Sequence, residues 1–122
     1  MNNKNKAVAF KAINNILGKW TLTDSEKIDI LGFSSKVELD IFTQSINTLQ
    51  MTQDLEVRIS LILNIHAELR QLFSNPLNVY GFMKMVNHNP SFDGKMPLDL
   101  ACESLEGLSY VFESITRIRH TN

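Results

Sequence analysis

Apolar residues recur in this chain at three- and four-residue steps almost from end to end, while the every-second-residue alternation of a half-buried strand is nearly absent. That regularity restricts the fold to packed helices. Phe10, Ile13, Leu17 and Trp20 form a first stripe, on a helix expected over about residues 7–20. Thr23 and Glu26 then stand at the spacing where each side chain can satisfy a free N–H at the other's position. Ile28 and Leu31 face inward on this second helix, and Gly32 follows where a left-handed residue closes it. Ser35 and Glu38 repeat the device ahead of a third helix, whose apolar face is read as Val37, Ile41 and Phe42.

Polar residues 47–54 mark a boundary before the longest helix, expected over about 54–73. Its stripe is Leu55, Ile59, Ile62, Leu69 and Phe73, widened by Leu63 and Ile65. Ser74 or Asn75 caps the next helix, and Pro76 suits its first turn, where a missing N–H costs nothing. That helix is expected to carry Leu77, Tyr80, Met83 and Val86. Pro97 opens a short helix with Leu98, Leu100 and Ala101. A last helix carries Leu105, Leu108, Val111, Phe112, Ile115 and Ile118 before the closing RIRHTN. The expected fold is all-α, a compact bundle of about six to seven short helices.

Hydrophobic residues make up 43% of the 122, enough for one buried core. Residues 1–50 carry six lysines against five carboxylates, and residues 51–122 six Lys or Arg against eight. Neither part is a basic module. The single cysteine, Cys102, excludes an intramolecular disulfide and suits a reducing compartment. The N-terminal residues have no long apolar run behind their lysines, and the segment Leu61–Ile65 is far too short to span a bilayer. A soluble, cytoplasmic protein without membrane contact is expected.

Candidates for catalysis are thin. His66 falls on or beside the apolar stripe of the long helix, where a packed, hydrogen-bonded imidazole is the simplest role. His88 and His120 have no His, Cys or carboxylate at metal-ligand spacing. Cys102 lies among Leu100, Ala101 and Leu105, with no basic neighbour to lower its pKa. Asp93 and Asp99 fit turn and helix-dipole preferences. No glycine-rich phosphate loop occurs. No catalytic residue, metal ligand or cofactor is expected, and the chain is read as a non-enzyme.

Two binding surfaces remain. The capped helix pair with its Gly32 turn has the pattern of a helix-turn-helix. Ser34, Ser35, Lys36, Thr43 and Gln44 are the groups that could reach DNA phosphates or base edges. Glu38 and Asp40 on the same helix oppose this, so useful affinity for operator DNA would need two copies reading two half-sites. The second surface is the C-terminal turn with Arg117, Arg119 and His120.

Asn89, Phe92, Gly94 and Pro97-Leu98-Asp99-Leu100 form an N-x-x-F-x-G-x-x-P-L-D-L pattern, preceded by RISLILNIHAELRQLF and followed by EGLSYVFESITRI. This combination resembles the toxin-binding domain of the Xre/MbcA/ParS antitoxin family. LTDSEKIDILGFSSK resembles the family's Xre-like helix-turn-helix, so the likeness runs over about residues 7–120. Tyr80 and Phe82 occupy the region where members often carry tryptophan.

The resemblance implies an Xre-like region over 1–50 and a toxin-binding domain over 51–122. It implies a homodimeric type II antitoxin that neutralises a RES-domain, NAD-degrading toxin by steric occlusion, and that can regulate its own operon. Toxin contact would fall to Arg117, Arg119, His120, Thr121 and Asn122, with Asn89, Phe92, Gly94 and Pro97 as structural residues orienting the last helix. The alternative is a DNA-binding transcriptional regulator without a toxin partner.

Overall fold

The computed structural model describes residues 3–44 and 49–121. Among them seven α-helices follow in order: α1 (Asn3–Lys19), α2 (Asp24–Leu31), α3 (Lys36–Gln44), α4 (Gln53–Leu72), α5 (Pro76–Gly81), α6 (Pro97–Glu103) and α7 (Leu105–Thr121). A 3-10 turn, Phe82–Lys84, extends α5. No strand occurs among the described residues, and the all-α bundle is the one that the periodicity predicts.

The core is continuous across the chain. Phe10, Ile13 and Leu17 of α1, Ile30 and Leu31 of α2, and Phe42 of α3 join Ile59, Ile62, Ile65 and Leu69 of α4 and Leu108, Val111 and Ile115 of α7. Helix α4 packs against α1, α2 and α7, while α7 also packs closely on α6. The two regions divided near residue 50 therefore share one core. Residues 45–48 lie outside the described residues, and with them the first two positions of the boundary stretch 47–54.

Polar ties reinforce that union. Arg58 of α4 is mostly buried, with its side chain 11% exposed. Its Nη1 donates to the carbonyl oxygens of Asp29 at 3.5 Å and Ile30 at 3.3 Å, and its Nε donates to Asp54 Oδ2 at 2.9 Å. The last carbonyls of a helix lack internal partners, and a cation there also meets the negative end of the helix dipole. Helix α2 is thus capped from another helix. Gly32 makes room for this: its φ is +71°, and a Cβ would lie 2.6 Å from Arg58 Nε. Lys84 Nζ donates to the Thr21 carbonyl at 2.6 Å and pairs with Glu26 at 3.1 Å, tying the segment after α5 to the α1–α2 turn.

Local expectations mostly hold, with three corrections. The Thr23–Glu26 capping box forms, with Thr23 N–H donating to Glu26 at 2.8 Å and Glu26 N–H to Thr23 at 3.2 Å. The second box does not. Glu38 instead accepts from the Ser34 N–H at 2.9 Å and from the Ser34 hydroxyl, so Ser34 offers the carboxylate two donors where the Ser35 backbone would offer one. On α3 the inward pair is Leu39 and Phe42, and Val37 is 66% exposed. On α5 the inward residues are Val79, Phe82 and Met83, while Leu77 is 81% and Val86 58% exposed. Leu77 stands exposed in the first turn of α5 itself; beyond Gly81 the tighter 3-10 turn carries Val86 off the stripe expected from an uninterrupted helix.

Candidate functional site

Residues 87–104 build a rigid corner from backbone chemistry. Asn87 Oδ1 accepts from the Asn89 N–H at 2.9 Å, and Asn89 Oδ1 accepts from the Ser91 N–H at 3.0 Å, two successive side-chain-closed turns. The Asn89 carbonyl then accepts from Phe92 at 2.8 Å and Asp93 at 3.0 Å. Asp93 and Gly94 are both left-handed, with φ of 50° and 80°. Lys95 N–H closes that turn on the Phe92 carbonyl at 2.9 Å. Two consecutive positive φ values are the geometry of a primed hairpin turn, which Asp-Gly accommodates at little cost. A short pairing of Asn87 with Lys95 holds its base.

The corner presents Phe92 inward, fully buried and edge-on to Phe82 at a ring separation of 5.9 Å. Pro97 starts α6, and a single residue, Ser104, separates α6 from α7. The Ser104 hydroxyl accepts from the Gly107 N–H at 2.9 Å, capping α7. Farther along α7, the Tyr110 hydroxyl donates to the Ser91 carbonyl at 2.6 Å. The four motif residues Asn89, Phe92, Gly94 and Pro97 are therefore brought together, and the corner touches α7 directly through Tyr110.

At the far end of α7, Arg119 forms a two-pronged pair with Glu68 of α4: Nε donates to Oε2, and Nη2 lies 3.3 Å from Oε1. The carboxylate raises the Arg119 pKa above its already high ordinary value. Arg117 is exposed, with its guanidinium 6.0 Å from the Tyr110 ring centroid and Nη2 donating to the buried Ser114 hydroxyl at 3.3 Å. Thr121 returns its hydroxyl to the Ile118 carbonyl at 3.1 Å, and His120 is exposed. Asn122 lies outside the described residues. Glu68 was not legible beforehand, since fifty-one residues separate it from Arg119.

The α2–α3 surface is more acidic than its serines suggest. Lys36 Nζ sits 3.4 Å from Asp40 and 3.6 Å from Asp24, and these carboxylates, Asp40 foremost, raise its pKa. The Ser34 hydroxyl donates to Glu38, and the Thr43 hydroxyl to the Asp40 carbonyl at 3.0 Å. Ser35 and Gln44 remain exposed. Residues 24–44 carry five carboxylates against two lysines. Such a surface repels a phosphate backbone.

The remaining titratable groups do not converge. His66 stacks on Tyr80 with ring centroids 5.7 Å apart, and its Nδ1 is buried without a hydrogen-bond partner, so the expected hydrogen-bonded imidazole is not what forms. Burial lowers its pKa, and the nearby Arg70 and Lys19 add to the effect. Among the described residues no His, Cys, Asp and Glu cluster has the geometry to hold a metal. No described helix is long and apolar enough to cross a membrane.

Burial pushes the Cys102 thiol up to about 12, with Asp29, Glu26 and Asp99 adding to it. At pH 8 the reactive thiolate is then roughly one part in ten thousand. Native protein is expected to resist iodoacetamide at that pH and to label promptly once unfolded. Equal labelling rates in both states would contradict this burial.

No protein-family model, curated protein or solved structure matches the chain.

Proposed function

We propose that this protein is an antitoxin of the Xre/MbcA/ParS type that binds a RES-domain toxin and covers its NAD-consuming site with the C-terminal segment. The observation that carries the reading is the use made of the motif. Asn89, Phe92, Gly94 and Pro97 are spent on backbone turns, a core plug and a helix start, and the corner they form is bonded to α7 through Tyr110. Here they hold a helix in place.

The end of that helix is cationic: Glu68 of α4 holds Arg119, and Ser114, one turn back on α7 itself, orders Arg117. Ordering these long side chains before binding lowers the entropy lost on association. Arg117 keeps donors free to meet carboxylates at a partner's rim, in the forked geometry that arginine favours. Operator DNA is a secondary ligand in this reading. The paired carboxylates around Lys36 favour a protein partner over a phosphate backbone.

The test is to purify the chain together with the product of its neighbouring gene and follow NAD consumption. The expected result is one co-eluting complex in which NAD loss stops. Arg117→Ala combined with Arg119→Ala, with the fold checked by circular dichroism, is expected to raise the half-inhibitory concentration at least about tenfold, in line with truncation of interfacial arginines. Separate elution with undiminished NAD loss would overturn the proposal. Undiminished inhibition by the double variant would remove the helix end from the mechanism.

A further inference from the structure

The stretch from Leu77 to Val86 concentrates exposed apolar surface. Leu77, Met85 and Val86 all project into solvent from this one short segment, whereas Val8, Val37 and Val57 stand on three different helices. Three shallow hollows surround α5. One lies against the end of α4, at Arg70, Phe73 and Tyr80. A second lies against the end of α1, at Lys19, Leu77 and Tyr80. The third runs along Phe73, Met85 and Val86. Shared walls, Tyr80 between the first two and Phe73 between the first and third, make them one surface with Leu77 as its projecting knob.

The charge of this surface has one sign. No carboxylate lines any of the three hollows. Lys19 has its Nζ 5.0 Å from the Tyr80 ring centroid and no carboxylate partner among the described residues, and Arg70 likewise has none. Glu26, reached through Lys84 beside Thr21, is already matched by that lysine. Lys19 and Arg70 both stand close enough to His66 to lower its pKa, after burial, so the two cations share one neighbourhood. A scattered apolar residue on a surface needs no explanation, but an apolar knob with unpaired cations on its flanks does.

We infer that the α5 ridge is a second docking surface, taking an apolar pocket ringed by carboxylates on the same partner protein that the end of α7 engages. Leu77 inserts, and Lys19 and Arg70 meet the acidic ring. This inference rests on the toxin-binding reading. A membrane fits less well, because the apolar surface is a single knob between hollows and the basic groups on its flanks are few. A second copy of this chain would bring its own unpaired Lys19 and Arg70 to a symmetric contact, placing like charges together.

Affinity for the purified neighbouring-gene product, measured by calorimetry with the full chain, tests the ridge separately from the reading it rests on. Leu77→Glu leaves the core untouched and is expected to weaken binding at least about thirtyfold, as for a central apolar anchor. Lys19→Gln with Arg70→Gln is expected to weaken binding and flatten its salt dependence. Val37→Glu, on exposed α3, serves as control and is expected to bind like the unaltered chain. Unchanged affinity for Leu77→Glu overturns the ridge and leaves the toxin-binding reading standing. Loss of self-association with unchanged toxin affinity also overturns it, and assigns the surface to a second copy. If the unaltered chain does not bind the neighbour, both fall together.

Discussion

Gly107→Ala is expected to destabilise the protein by about 2–3 kcal/mol, although the same change inside an exposed helix stabilises by roughly 1 kcal/mol. Gly107 lies in the first turn of α7, at the point where α6 and α7 meet across the single residue Ser104. A Cβ there would lie 2.0 Å from the Leu100 carbonyl oxygen and 3.0 Å from its carbonyl carbon. Backbone cannot swing aside as a side-chain tip can. The two helices would have to separate, and that loosens Leu98, Ala101 and Leu108 together. Overpacking therefore outweighs helix propensity. Urea unfolding of both forms decides it, and a stabilised alanine variant would mean that α6 and α7 do not approach this closely.

Phe92→Ala is expected to cost about 3–5 kcal/mol, the range for deleting a fully buried aromatic ring. Phe92 is packed edge-on against Phe82, which in turn contacts Phe73 at 5.9 Å. Removing it opens a void under the corner that packs against α7, so folding fails and, in the proposed reading, toxin binding fails with it. A domain of this size has about 5–15 kcal/mol in all, so the variant would be partly unfolded at moderate urea concentrations. A shift below about 1 kcal/mol would show that the ring is not a plug.

What sequence revealed and what it hid divide along physical lines. Helix positions follow from local periodicity, and most stripe residues, such as Phe10, Ile13, Ile62 and Val111, are buried where the spacing places them. Local capping chemistry was legible at Thr23–Glu26 and Asn75–Pro76, but not at Ser35, where the adjacent Ser34 takes the Glu38 carboxylate instead. Beyond Gly81 the α5 stripe was misread because a 3-10 turn has a different period, and nothing earlier announces the change; the exposure of Leu77, in the first turn, has no such cause. Long-range partners were invisible for a simpler reason. Glu68 with Arg119, Tyr110 with Ser91 and Lys84 with Thr21 depend on how helices cross, which no short window contains. The four motif residues were legible as a structural set beneath the last helix, because turn and helix-start preferences are local; the Tyr110 hydroxyl on the Ser91 carbonyl, which joins them to that helix, was not.

The guanidinium of Arg58 has a consequence for how such a chain can change over generations. It is encoded after the polar boundary, but the carbonyls it satisfies belong to the helix before Gly32. A gene rearrangement that joined the N-terminal part to a foreign partner would leave α2 with its own Gly32 N–H but without the donor to its Ile30 carbonyl. It would also leave a mostly buried arginine stranded in the other piece. The two segments are therefore poor currency for domain shuffling, and are better inherited as a pair.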